Sequence, residues 1–346
     1  MESLLHSLSV AALIVVLVSL AGWIYQTVGS ARDRRRYPPL GALFDVGGHR
    51  LHLVEKGQGS PAVILDAALG GSSISWQQVQ TEISANTRVC SYDRAGLGWS
   101  EAGRGPRTAR RLADELHALL GQAGVAPPYI LVGHSFGGFS ARQFAAQYPQ
   151  EVAGMVLVDV PHPQEWARPS RQQMARLRRG AFLARRGAIV ARFGVARLIS
   201  LLARAGALGM ARLGVALVSE GDLRGHEDRL LAPLFRVPPE LRPVLRWFWT
   251  EPKFYTALAG QMELLVESAA GIAAAPGYGD LPLVVITASN PTAERLRDQE
   301  QVAGLSRRGR HIVAQTGGHW VQLDEPALVV NAIREVLEAA RYRGRN

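Results

Sequence analysis

Apolar and polar positions follow two regimes along this chain. From Leu8 to Val28 they hardly alternate: the stretch is apolar almost throughout and carries no charge. About 20 such residues, each rising ~1.5 Å in a helix, span a hydrocarbon layer of ~30 Å. Trp23 and Tyr25 stand near the end of the run, where amphipathic rings favour the interface. Arg32, Arg34, Arg35 and Arg36 follow, then Pro38-Pro39. The pattern predicts a single-pass membrane anchor over residues 1–36, closed by a basic stop and a short linker. A cleaved signal peptide is the competing reading. Val28-Gly29-Ser30 offers small residues for cleavage, but only Glu2 and His6 stand where positive charge is wanted. Arginines after the span place the rest of the chain in the cytoplasm by the positive-inside rule.

Beyond the linker, short apolar runs alternate with amphipathic stretches. Phe44-Asp45-Val46, Gly47-Gly48 and Arg50 to Val54 predict a hairpin. Ala62 to Leu65, Arg88 to Tyr92, Tyr129 to Val132, Met155 to Val158, Leu283 to Ile286 and Ile312 to Ala314 predict short buried strands. Helices are expected around Trp76 to Ile83, over Arg107 to Leu120, over Gly138 to Tyr148 and from Pro326 to about Ala340. This rhythm predicts an α/β fold with a parallel sheet covered on both faces. It stops between residues 161 and 276, where the composition is helical and Pro169, Pro233, Pro238, Pro239 and Pro252 interrupt. That stretch is expected to be an inserted helical cap, dividing the core into residues 37–160 and 277–346.

Composition changes the picture in two places. The 346 residues, 47% hydrophobic, suffice for a full core within one domain. Cys90 is the single cysteine, and its apolar neighbours predict a buried structural thiol. No Cys/His cluster has zinc spacing and no Gly-rich phosphate loop is present, so neither a metal nor a nucleotide cofactor is expected. The net charge of +10 is concentrated: eleven arginines from Arg168 to Arg212 share a stretch with no acidic residue between Glu165 and Glu220. Such a patch can address nucleic acid, anionic lipid or an anionic substrate, or can be a solvated helix face. No nucleic-acid module accompanies it, so nucleic acid is not an expected partner, whereas membrane lipid is.

The chemistry lies in Gly133-His134-Ser135-Phe136-Gly137. A G-x-S-x-G sequence that follows a buried strand and opens a helix forms a nucleophile elbow. The turn forces the serine into strained backbone geometry, and the glycines let strand and helix pack closely. A serine hydroxyl also needs a base within reach. His319, in Gly317-Gly318-His319-Trp320, follows the last strand and precedes the last helix, where a base stands in the order Ser, acid, His. His134 adjoins the nucleophile and is expected to be a packing residue. An oxyanion needs two N–H donors. Phe136 is the expected first; Leu69, in Ala67-Ala68-Leu69-Gly70-Gly71, is the expected second.

These features resemble the α/β-hydrolase superfamily. The resemblance is carried by Ser91-Tyr92-Asp93-Arg94-Ala95-Gly96-Leu97-Gly98-Trp99-Ser100, the elbow Gly133 to Gly138, Tyr148-Pro149 and Gly318-His319. It runs from Leu43 to Val160 and again from Leu281 to the last helix, leaving the cap uncovered. The resemblance implies an eight-stranded, mostly parallel sheet with a lid over the active site. It makes Asp93 a structural brace for a turn. Two departures stand out. Ala67-Ala68 replaces the usual His-Gly before the oxyanion residue. The position just after Leu283 to Thr287, where the family usually carries the acid, has Ala288-Ser289-Asn290 and no carboxylate.

A triad histidine needs a buried carboxylate at Nδ1 to hold its tautomer. Asp159, which ends the strand Met155 to Val158, is the expected acid. Haloalkane dehalogenases and some lipases are similar in placing it there. Glu294 and Asp298 are the alternatives, and Asp159 as a brace at the entrance to the cap is the structural reading. The expected activity is hydrolysis of a small lipophilic carboxylic ester, similar to monoacylglycerol lipases and esterases, with acyl transfer or peptide cleavage open to the same acyl-enzyme. Ser135 argues against the dehalogenases and epoxide hydrolases of the fold, which place a carboxylate at the elbow. A non-catalytic binding protein that kept the fold is the alternative class.

Overall fold

Eight strands form one sheet in the order β1-β2-β4-β3-β5-β6-β7-β8, and only β2 runs against the others. The structure, a computed structural model, describes residues 1–204 and 233–343; Arg212 and the rest of 205–232 lie outside the described residues. The strands are β1 (Ala42–Asp45), β2 (Arg50–Lys56), β3 (Ala62–Asp66), β4 (Val89–Tyr92), β5 (Tyr129–His134), β6 (Val152–Val158), β7 (Leu283–Thr287) and β8 (Gly309–Val313).

The central strands are near-continuous Val, Ile and Leu because both faces of the sheet are covered. Ile64, Leu131, Leu157 and Val285 meet the helices Ala109–Gln122, Gly137–Gln147 and Ala293–Ala303. Their neighbours Val63, Val132, Val156 and Ile286 meet Gln77–Ile83 and Pro326–Arg343 on the other face. β6 starts earlier than its apolar run because Ala153-Gly154 carry little strand signal; a side chain at Gly154 would collide with Val336 of the last helix. β8 is the sheet edge, and its exposed Gly309 and Arg310 conceal the strand from an apolar pattern. Within residues 161–276 every described element is helical, including Pro163–Ala167, Arg171–Arg192, Val195–Arg204, Arg242–Phe248, Pro252–Glu263 and Leu265–Ala273.

The N-terminal helix, Glu2–Arg36, is 35 residues long and apolar enough to cross a membrane. The arginines of the expected basic stop form its last turns. Those turns dock on the cap. Gln26 Nε2 donates to Thr250 O (3.0 Å) and Ser30 Oγ to Glu251 Oε1 (2.5 Å), all four residues being buried. Arg197 pairs with Asp33 and reaches Glu251 at 3.5 Å. Tyr37 then stacks on Trp247, and its carbonyl accepts Trp99 Nε1–H (3.0 Å), so the chain before Pro38-Pro39 is pinned.

Ser30 gives Glu251 a buried hydrogen bond to a charged group, a contact worth about 1.5–3 kcal/mol, and Asp33 adds a part-buried ion pair with Arg197. Deletion of residues 1–36 strips Ser30 and Asp33 from Glu251 and Arg197, whereas deletion of residues 1–20 keeps them. The longer deletion is therefore expected to melt at least ~5 °C below the shorter one. Calorimetry in a common detergent decides the point: equal melting would mean that the docked turns add nothing.

Candidate active site

β5 ends at His134, and the chain turns at once into the helix Gly137–Gln147. The turn is possible only because Ser135 takes φ 53°, a left-handed conformation that costs a non-glycine residue energy. Its N–H donates to Val158 O (2.9 Å), and its carbonyl accepts Gly138 N–H (3.0 Å). A Cβ at Gly133 would lie 2.6 Å from Gly137 O, and one at Gly137 would strike the carbonyls of Asp66 and Ala67. The two glycines are thus required by close backbone approach. The elbow leaves the Ser135 side chain partly exposed.

Asp159 directly follows β6 with φ 44°, its N–H donating to Ile286 O of β7 (2.7 Å). Its Oδ2 lies 2.6 Å from His319 Nδ1. Oδ1 accepts from Arg295 Nη2 (3.1 Å) and, more weakly, from Ala288 N–H (3.4 Å). Burial works against the charge of this carboxylate. The His319 hydrogen bond and charge, then Arg295, outweigh burial and hold its pKa well below the ordinary carboxylate range. Asn290 is exposed and so is Glu294; neither these nor Asp298 bonds to His319.

His319 sits on a loop that the fold clamps from several sides. Glu325 accepts N–H bonds from Gln315 (3.2 Å), Thr316 (2.5 Å) and Gly317, and Asp324 accepts one from Gly318 (2.9 Å). His134 donates through Nε2 to His319 O (2.7 Å), its Nδ1 accepting from Gln322 Nε2 (3.0 Å). Burial, and next the neighbouring His319, push the His134 pKa down to about 3, so this ring is neutral. It packs as expected and also fixes the loop of the candidate base. Ser135 Oγ and His319 Nε2 bond to no other group among the described residues. They make no hydrogen bond to each other either; a base and its nucleophile often close to bonding distance only when substrate binds.

The loop after β3 lies beside the elbow. The N–H groups of Leu69 and Phe136 donate to no acceptor among the described residues. What holds this loop is a buried arginine. Arg94 donates to Asp66, to Ala67 O (2.6 Å) and to Ala68 O (2.5 Å), and its guanidinium lies 5.2 Å from the Phe136 ring centroid. Asp66 also accepts from Tyr92 Oη (2.7 Å) and Ser140 Oγ. Arg94 lies inside the Ser91 to Ser100 stretch, but its spacing from residues 66–68 gives no sign of this contact. Asp93, one residue earlier, braces its turn by accepting from Ser73 N–H (2.7 Å), Trp99 N–H (3.0 Å) and His52 (2.9 Å).

A family model described as "alpha/beta hydrolase fold" matches residues 61–326. The chain belongs to the α/β-hydrolase fold family. It is 40% identical over 103 residues to an AB hydrolase superfamily protein of Gibberella zeae, covering 29% of this chain and 32% of that protein. The chain spans less than half the length of the curated relatives it matches. Among solved structures it resembles a thermophilic esterase from Thermogutta terrifontis (TM-score 0.59, 23% identity, 86% of this chain and 98% of that one). It also resembles the epoxide hydrolase CorEH (TM-score 0.60, 17% identity, 85% and 97%).

On this α/β-hydrolase fold the cap lies directly over the candidate site. Leu265, Ala269 and Ile272, with Trp166 and Leu177, pack with Phe136, Phe139 and Leu69 in one apolar cluster. The helix Pro252–Glu263 reaches the loop as well, placing Phe254 and Leu258 where a Cβ at Gly70 would touch them. The cap side of Phe136 and Leu69 is therefore apolar, and no group of three or more metal-ligating side chains occurs among the described residues.

Proposed function

We propose that this α/β-hydrolase is a membrane-anchored serine esterase that cleaves lipophilic carboxylic esters through an acyl-enzyme on Ser135. The observation that carries the proposal is the 2.6 Å contact between His319 Nδ1 and Asp159, together with a serine held at positive φ at the end of β5. Ser135 Oγ attacks the ester carbonyl while His319 Nε2 takes its proton. The oxyanion draws on the N–H groups of Leu69 and Phe136, aimed before the reaction begins. Collapse of the tetrahedral species expels the alcohol, which receives the proton from His319. Water then repeats the sequence to release the acid. Asp159 stays ionised throughout and stabilises the imidazolium in each half-reaction. The apolar cap over Phe136 and Leu69 supports an acyl chain rather than a charged one.

The serine carries the test. A fluorophosphonate probe is expected to label wild type and to leave Ser135→Ala unlabelled, and p-nitrophenyl and monoacylglycerol esters of graded chain length should be hydrolysed, the longer ones better. An unlabelled, inactive but folded wild type sinks the proposal in favour of a binding protein.

The loop contacts add a separate expectation. Arg94→Lys keeps the charge, but an ammonium cannot bridge the Ala67 and Ala68 carbonyls as the guanidinium fork does. Losing the aim of one oxyanion donor should lower kcat by about 10²-fold with little change in KM. Michaelis kinetics on a p-nitrophenyl ester read this, and an unchanged kcat in a folded variant removes Arg94 from the arrangement.

A further inference from the structure

The docked turns of the N-terminal helix leave a cleft between themselves and two cap helices, Val195–Arg204 and Arg242–Phe248. The cleft encloses about 260 Å³. That is just below the ~300–1,000 Å³ of sites that swallow a whole drug-sized ligand, so it suits a headgroup rather than an acyl chain. Tyr25 and Gly29 line it at one end, Arg32 and Asp33 one turn further along the same face. Arg246 and Trp247 close it from the cap.

The charges in this cleft do not cancel. Arg197 also lines it, and is satisfied by Asp33 and Glu251. Arg32 and Arg246 make no hydrogen bond or ion pair among the described residues, although Arg246 is half-buried. Two guanidiniums without a partner among the described residues, Arg246 half-buried and Arg32 exposed, favour an anion, and the planar fork of arginine matches phosphate oxygens.

Depth decides which phosphate. Tyr25 belongs to the last turns of the apolar run Leu8 to Val28, and Arg32 stands about 10 Å further along the axis at ~1.5 Å per residue. The cleft thus begins where the hydrocarbon ends. The cap descends to the same level, since the Phe193 carbonyl abuts Gly22 and Gly194 abuts Tyr25. From there Phe193, Val195, Leu198 and Leu201 present exposed apolar side chains, and Leu201 itself lines the cleft. A soluble phosphate ester has no use for that strip, whereas the acyl chains of a lipid would lie along it, continuous with the exposed face of the N-terminal helix.

We infer that this three-helix cleft binds the phosphate of an anionic glycerophospholipid, with Arg32 and Arg246 as its ligands. The inference rests on the membrane-anchor reading and is independent of the ester chemistry. A lipid held there joins the N-terminal helix to the cap and fixes the cap against the bilayer.

The test uses the full chain in dodecyl maltoside, with phosphatidylglycerol and phosphatidylcholine as probes and native mass spectrometry as the readout. One phosphatidylglycerol should be retained at a concentration about tenfold or more below that needed for phosphatidylcholine, two arginines contributing near a surface. R32Q/R246Q should lose that preference. R176Q/R178Q, which removes the same charge from exposed positions on the helix Arg171–Arg192, should keep it. No preference in wild type, or equal loss in both double variants, overturns the site. Displacement of the lipid by millimolar glycerol 3-phosphate reassigns the cleft to a soluble phosphate ester and overturns the lipid. Failure of the underlying reading looks different: the chain would then leave membranes under alkaline carbonate without any detergent.

Discussion

Ser135→Ala is expected to lower kcat/KM for a p-nitrophenyl ester by at least about 10⁴-fold, because the members of a triad act as one unit and little of its rate survives the loss of any one. In the proposed mechanism the nucleophile has no substitute. Ser135 is the residue held at φ 53° between β5 and its helix, with its N–H spent on Val158 O and its hydroxyl left unbonded among the described residues. Alanine tolerates the position no worse than serine does, so the fold should persist and circular dichroism should be unchanged. The buried faces that hold the elbow, Gly133 and Gly137 against the backbone of neighbouring segments, are untouched by the substitution. Residual activity within tenfold of wild type would move the chemistry away from Ser135. His319→Ala should behave almost identically, which separates a triad from a serine acting alone.

Asp159→Asn is the second large effect, expected to cut kcat by about 10⁴ with a near-native structure. The amide is nearly isosteric but can present its NH₂ to His319 Nδ1, favouring the tautomer that carries its proton on Nε2 and so cannot accept one from serine. It also removes the charge that stabilises the imidazolium. The remaining contacts of the side chain, with Arg295 and the Ala288 N–H, would lose strength but still hold the residue in place. Glu294→Gln and Asn290→Ala serve as comparison variants and should stay within about tenfold of wild type, since both residues are exposed and neither touches His319. If Asp159→Asn stays folded and active while Glu294→Gln or Asp298→Asn is dead, the acid has been assigned to the wrong strand end. Arg295→Gln gives an intermediate case: it removes a cation from beside Asp159 and should weaken, without abolishing, the hold on His319.

The sequence by itself determined whatever has a local cause. Apolar runs of four residues, Ala62 to Leu65, Tyr129 to Val132 and Leu283 to Ile286, marked the central strands, because strands buried on both faces are apolar on both. Gly133-x-Ser135-x-Gly137 announced the elbow, since only glycine permits the backbone contacts it makes. The uncharged run Leu8 to Val28 announced a helix long enough to span a bilayer. Edge strand β8 and the start of β6 were blurred, because exposure and glycine remove the pattern that a strand otherwise writes. The tertiary structure alone decided the relations between distant segments. It brought Asp159 to His319 across 160 residues, laid Arg94 on the carbonyls of Ala67 and Ala68, and set His134 under the backbone of the base. It also folded the last turns of the N-terminal helix onto Glu251 and Arg197, where the sequence shows only a basic stop. Period and composition report the environment of one segment. A hydrogen bond between two polar groups leaves no such trace, because each partner is an ordinary residue until the sheet and its cap bring them together.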